Sequence, residues 1–204
     1  VGSVAIGYQS GLTSQNTNSV AIGPASGQDF QGTQAVAIGN GAGQTQQSSG
    51  AVAIGYQAGQ GTQGVDAISI GSTAGQISQS ANAISIGSGA GQNSQGIQGI
   101  AIGYQAANIG QDINGIAIGA LSGASYQGFG AVAIGQGAGY NTQGAFAVSI
   151  GYSSGQLSQG NSAIAIGNYA GTNTQGYYSV AIGYQAGLDS QSFQSVAIGN
   201  GAGQ

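Results

Sequence analysis

Large and small residues alternate along this chain in short bursts separated by polar, glycine-rich stretches. In Ala35–Gly39 the order is Ala-Val-Ala-Ile-Gly, so an extended backbone puts Val36 and Ile38 on one side and Ala35 and Ala37 on the other. That period of two is the mark of a strand with unlike faces. The bursts recur at a constant interval. Ile-Gly occurs thirteen times in one phase, with its Gly at every sixteenth residue from Gly7 to Gly199, and no insertion or deletion intervenes. Drift-free spacing of this kind signals stacked units that must match their neighbours.

Aligned on that Gly, the unit reads approximately AVAIGxxAGQxxQGxx. Two positions before the Gly stands only Ala or Ser, three before it only Val or Ile, and four before it only Ser, Ala or Gly. Four positions after it Gly recurs, with Ala107 as the exception. Glycine at these points supplies turns, because it tolerates positive φ and close backbone approach. Glycine density and recurrent β-branched residues disfavour a helix. The expected fold is therefore all-β, a parallel β-solenoid or β-roll with one sixteen-residue coil per repeat. About 12.75 coils at roughly 4.8 Å each would make a rod of about 60 Å. Residues 1–204 read as a single repeat array, and as a fragment of a longer chain because both ends fall in mid-repeat.

Isolated coils cannot fold. Burying one Val and one Ile contributes on the order of 3–6 kcal/mol, whereas ordering sixteen backbones costs on the order of 16–32 kcal/mol. Stacking is required, and the expected core is a ladder of the large aliphatics, Val20, Ile22, Val36, Ile38, Val52, Ile54, Ile68 and Ile70. The small-residue face, represented by Ala21, Ala35, Ala37, Ala51 and Ala53, is then expected to meet another copy, since a solvated face would carry longer polar side chains.

Eight positions after the Gly, glutamine stands in every complete repeat: Gln15, Gln31, Gln47, Gln63, Gln79, Gln95, Gln111, Gln127, Gln143, Gln159, Gln175 and Gln191. A side-chain amide both donates and accepts, so such a column predicts a ladder along the axis or a cap on turn backbone. Aromatic residues are less regular. Tyr8, Tyr56, Tyr104 and Tyr152 follow the Gly at intervals of 48 residues, and Tyr184 breaks that rule. They are either exposed contacts for sugars or neighbouring fibres, or covers over turns. Ten positions after the Gly, Val65, Ile97, Ile113, Phe129, Tyr177 and Phe193 read as core edge or packing surface.

Composition narrows the chemistry. Lys, Arg, His, Cys, Met and Trp are absent, Gly occurs 43 times, and the net charge of −4 comes from Asp29, Asp66, Asp112 and Asp189. Acid–base and nucleophilic catalysis need a titratable group beside the reacting atom, so the chain is expected not to be an enzyme and to bind no metal. A calcium β-roll would need Asp in nearly every repeat. Nucleic-acid binding and polybasic membrane attachment both need Lys or Arg. Apolar runs of about four residues are far short of the roughly twenty that span a bilayer. Trypsin-like proteases find no cleavage site, which suits an extracellular life. No cofactor is expected.

The string Asn18–Gly23 is NSVAIG, and SVAIG recurs at Ser3–Gly7, Ser179–Gly183 and Ser195–Gly199. It resembles the head repeat of trimeric autotransporter adhesins of the YadA-like type. The turns YQAG at Tyr56–Gly59 and Tyr184–Gly187 are also similar to those of phage and large-virus fibre proteins. The resemblance implies a β-roll, a homotrimer or filament, and a role as an adhesive or surface fibre with a carbohydrate or cell-surface receptor as partner. It places the chain outside the cell, on a cell surface or on a virion. On it, Val20 and Ile22 match the family's core positions and Ala21 the small residue between them. The present unit is longer than the usual head repeat and lacks its charged residues. A different expectation follows if the small-residue face is free: flat faces can order water, so an ice-binding solenoid is the alternative.

Overall fold

A computed structural model describes residues 2–204. All regular structure among them is β, in parallel strands sixteen residues apart. Two compact units are present, Val1–Gly99 and Ile100–Gln204, and each is a parallel β-solenoid that completes one turn per repeat.

In the first unit, six three-residue strands stack from Val4–Ile6 to Ile84–Ile86. Their register is one whole repeat, with Val36 against Val52, Ala37 against Ala53 and Ile38 against Ile54. A second row contains Gln46–Gln47, Thr62–Gln63, Ser78–Gln79 and Asn93–Gln95. Gln15 and Gln31 continue this row as isolated bridges. The second unit repeats the plan. Seven strands run from Ile100–Ile102 to Val196–Ile198, and the glutamine row runs from Ile109–Gln111 to Ser190–Gln191. Each strand end is tied both ways along the stack, as when Val36 N–H donates to Ala51 O at 2.9 Å and Gly39 N–H to Ile22 O at 2.8 Å.

The structure reverses the expected inside and outside. Ala21, Ala35, Ala37, Ala51 and Ala53 are fully buried within the coils, so they form the interior and not a contact between chains. Val20, Ile22, Val36, Val52, Ile54 and Ile68 are half-buried on the outer side, and Ile38 and Ile70 are exposed. The reason is room. The largest fully buried side chains are glutamines, and the rest of the interior is Ala, Ser and Gly. A Cβ on Gly43 would stand 2.8 Å from the Gln47 amide and 3.3 Å from the Ala37 Cβ. A Val or Ile at the Ala37 position would collide with the glutamine that crosses the coil, so the alternation places its large members outward.

The repeat glycine is fixed by the next coil. At Gly55, φ is +129° and an added Cβ would lie 2.7 Å from Gly71 O. The same superposition of glycine on glycine recurs along each unit, which accounts for a residue that never varies in thirteen repeats. The later glycine is constrained by the core amide, and Ala107, its one replacement, is a buried non-glycine residue at φ 46°. Left-handed backbone costs an L-residue about 1–2 kcal/mol.

Two outcomes are expected in denaturant titrations followed by circular dichroism. Gly55→Ala should destabilise by about 1–3 kcal/mol or more, because the strain falls on backbone that cannot yield. Ala107→Gly should stabilise by up to about 1 kcal/mol, the relief of left-handed strain less glycine's entropic cost of about 0.5–1 kcal/mol. An unchanged stability in Gly55→Ala, or a marked loss of stability in Ala107→Gly, would contradict the stacking geometry.

Candidate functional site

Among the described residues the fold does not bring the four carboxylates together. Asp29, Asp66, Asp112 and Asp189 are all exposed and lie at different repeats. Among the described residues no three His, Cys, Asp or Glu side chains gather where a metal could sit, and no helix is long and apolar enough to cross a membrane. The features that distinguish the molecule are two amide ladders, an outward aliphatic face and clustered aromatic corners.

The glutamine column lies inside. It is buried from Gln31 to Gln191 and half-buried at Gln15. Each amide crosses its coil: Gln47 Nε2 donates to Val36 O at 2.7 Å and to Ala51 O at 3.2 Å. It also donates to Gln63 Oε1 of the next coil at 3.2 Å. The ladder runs from Gln31 to Gln95 in the first unit. In the second unit it joins Gln111 to Gln127 and then Gln143 to Gln191. Gln127 Nε2 donates only to backbone, leaving Gln143 Oε1 without a protein partner. Where the central strand residue is Ser, its hydroxyl reinforces the same amides. Ser69, Ser85 and Ser149 donate to Gln79, Gln95 and Gln159 Oε1 at 2.6, 2.5 and 2.6 Å.

A second ladder, not singled out from sequence, lies at the surface of the first unit. Gln44 donates to Gln28, Gln60 to Gln44, Gln76 to Gln60 and Gln92 to Gln76, at 2.8 to 3.1 Å. Its donors point toward the preceding coil, opposite to the interior ladder. The signal was present in five successive Gly-Gln dipeptides ending at Gln28, Gln44, Gln60, Gln76 and Gln92. Gln44, Gln60 and Gln76 line a shallow groove with Thr45, Gly61 and Ile77.

The outward face carries two columns, one of Val or Ile and one of Ile. In the first unit Ile38, Ile70 and Ile86 are each about a third exposed, and in the second Ile118, Ile134, Ile150 and Ile166 match them. No charged residue interrupts either column. A sheet face of three-residue strands is about 10 Å wide. Six strands at about 4.8 Å make it about 29 Å long, and seven make it about 34 Å.

The predicted tyrosines occupy the corner that follows the repeat Gly, and Tyr8, Tyr56, Tyr104, Tyr152 and Tyr184 are all exposed. The fold does not bring those five together as one group. It pairs Tyr152 with Tyr169, a residue that sequence reading passed over, at a ring separation of 5.2 Å and an interplanar angle of 86°. Tyr169 has its hydroxyl held above the usual phenol range, first by hydrogen bonding with Tyr152, then by lost solvent, then by the nearness of Tyr152 and Tyr184. The second corner, ten and eleven positions after the Gly, is surface and not core edge: Val65, Ile97, Ile113, Phe129, Tyr177 and Phe193 are exposed there. Two further pairs form at this corner, Phe129 with Phe146 at 5.2 Å and Tyr178 with Phe193 at 5.7 Å. In all three pairs one member has positive φ, namely Tyr169, Phe146 and Tyr178. Nothing in the residue types announces that conformation, so the pairs could not be read from spacing.

Removing one core amide tests the interior assignment. Gln63→Leu takes a donor from Val52 O and Ala67 O and an acceptor from Gln47. Each buried group left unmade costs about 1–3 kcal/mol, so the variant should melt well below the parent. Gln60→Leu, on the surface ladder, should change the melting temperature far less. Similar melting of the two variants would mean that the interior amides carry no special weight.

Searches against protein-family models, curated proteins and solved structures match nothing to this chain, so its functional reading rests on the faces just described.

Proposed function

We propose that this chain is a non-enzymatic structural module of an extracellular, cell-surface or virion fibre, assembled by self-association through its outward Val/Ile face. The observation that carries this reading is the pair of uninterrupted aliphatic columns. Soluble monomers rarely expose contiguous apolar patches beyond a few hundred Å². The face amounts to about 290 Å² of sheet in the first unit and about 340 Å² in the second, each already at the size that monomers seldom leave contiguous. The corner tyrosines flank the Ile column and enlarge it.

A second copy of the chain is the occupant that fits best. Identical side chains repeat with the strand spacing on both partners, so two such faces interdigitate in register. The chain has no cation with which to attract an acidic surface and few carboxylates to attract a basic one. The resemblance to trimeric adhesin heads sets three as the expected copy number and adhesion, through a carbohydrate or cell-surface receptor, as the expected role. The ice-binding alternative relied on the small-residue face meeting water, and that face is the coil interior.

Paired substitutions separate folding from assembly. Ala37→Leu with Ala53→Leu should unfold the stack, because overpacking costs about 1–3 kcal/mol per site. Ile54→Glu with Ile134→Glu should keep the circular dichroism of the parent while light scattering reports a fall to the mass of one chain. A parent that is itself monomeric at all concentrations, or a glutamate pair that retains the parent's oligomeric mass, overturns the proposal.

A further inference from the structure

The Tyr152–Tyr169 pair has a property independent of the fibre reading. Each ring belongs to a different coil of the second unit, yet the backbone itself joins them, since Tyr169 N–H donates to Tyr152 O at 2.9 Å. Tyr169 is held at φ 59°, and its carbonyl accepts from the Thr172 hydroxyl at 2.7 Å. The corner is thereby fixed from both sides. With ring centroids 5.2 Å apart, the two phenols remain neighbours while their side chains rotate on the picosecond to nanosecond scale. Tyr152 is 44% exposed, so an external oxidant can reach the pair.

Composition directs oxidation to tyrosine. Cys and Met, the usual sinks for oxidants, are absent, as are Trp and His, whereas Tyr occurs ten times. Tyr184 also stands near Tyr169, but Tyr152 is the tyrosine whose ring packs against it. Tyr104 is three coils away from Tyr152, about 14 Å at the usual strand spacing, and Tyr178 is paired with a phenylalanine.

We propose that Tyr152 and Tyr169 form an oxidative cross-linking site, at which hydrogen peroxide and a haem peroxidase couple the two phenols into an intrachain dityrosine. Each phenol loses one electron and one proton to give a phenoxyl radical. The radicals join through the ring carbons ortho to oxygen, and the two ortho hydrogens move to the oxygens as aromaticity is restored. Peroxide takes up the two electrons and two protons and leaves as two waters. The product staples two successive coils and acts on the unfolded chain as a disulfide does, by closing a loop.

The experiment uses the folded chain as an equal mixture of ordinary and nitrogen-15-labelled protein, treated with hydrogen peroxide and a haem peroxidase in dilute solution. The expected product is a chain lighter by two hydrogens, with dityrosine fluorescence. Peptic mapping should show Tyr152 joined to Tyr169 with both halves carrying the same isotope. A held pair reacts at an effective concentration far above that of separate chains, so Tyr152→Phe and Tyr169→Phe should each lower intrachain dityrosine by about tenfold or more. Tyr104→Phe should not, and circular dichroism should show all three variants folded as the parent. Undiminished intrachain yield in Tyr152→Phe or Tyr169→Phe, a dominant linkage elsewhere, or Tyr152–Tyr169 linkages of mixed isotope would each overturn the assignment.

Discussion

One hydrogen bond sets the dimensions of this molecule: the donation from a core glutamine amide to the backbone carbonyl across its own coil, 2.7 Å from Gln47 to Val36 and from Gln31 to Val20. With that bond in place the opposed segments stand only one glutamine side chain apart. Everything else inside must fit around the amide, and only Ala, Ser and Gly do. With the exception of the Oε1 atoms of Gln31, Gln111 and Gln143, the interior is thus satisfied in polar terms and filled in volume by the same residue, which reconciles a column of buried amides with the high cost of leaving such groups unpaired.

The bond also explains why stacking tolerates no drift. Eight of the core amides also donate to the amide of the next coil, so a coil displaced by one residue would lose both the transverse and the axial bond there. Glycine superposed on glycine acts in the same sense from the outside of the turn, because Gly55 leaves no space above it for a side chain. The Ala107 repeat keeps both bonds, its Gln111 making the transverse bond at 3.0 Å and the axial bond at 2.9 Å, as Gln175 does in a repeat with the usual glycine.

Period, strand position, turn glycines and the structural nature of the glutamine column were all legible in the sequence, because each is a statement about spacing. Which face lies inside was not. Alternation separates Val36 and Ile38 from Ala35 and Ala37 but does not name the inner set, and the rule that large apolar residues are internal fails when the enclosed space is narrower than they are. The correct signal was a size limit: the residue two before the glycine never exceeds Ser. A free surface sets no such limit, and neither does a roomy core. The aromatic pairs were illegible for another reason, since they depend on left-handed backbone at Tyr169, Phe146 and Tyr178, residues seldom found there.

An interior of alanine and amide leaves the hydrophobic effect largely unused within each coil. Burying a Val or Ile completely is worth about 1.5–3 kcal/mol, and in a single chain the outward columns realise only the part that neighbouring coils cover. The remainder is available only on contact with another surface. A globular domain keeps its strongest driving force for folding and shows partners a polar exterior. Here folding rests on backbone and amide ladders, and in the proposed fibre the larger apolar side chains serve association. With four carboxylates and no cations, little charge opposes that association, and its register must come from the shape of the columns themselves. On the proposed assembly, folding and association draw on separate interactions, which is why substitutions at Ala53 and at its neighbour Ile54 are expected to damage different things.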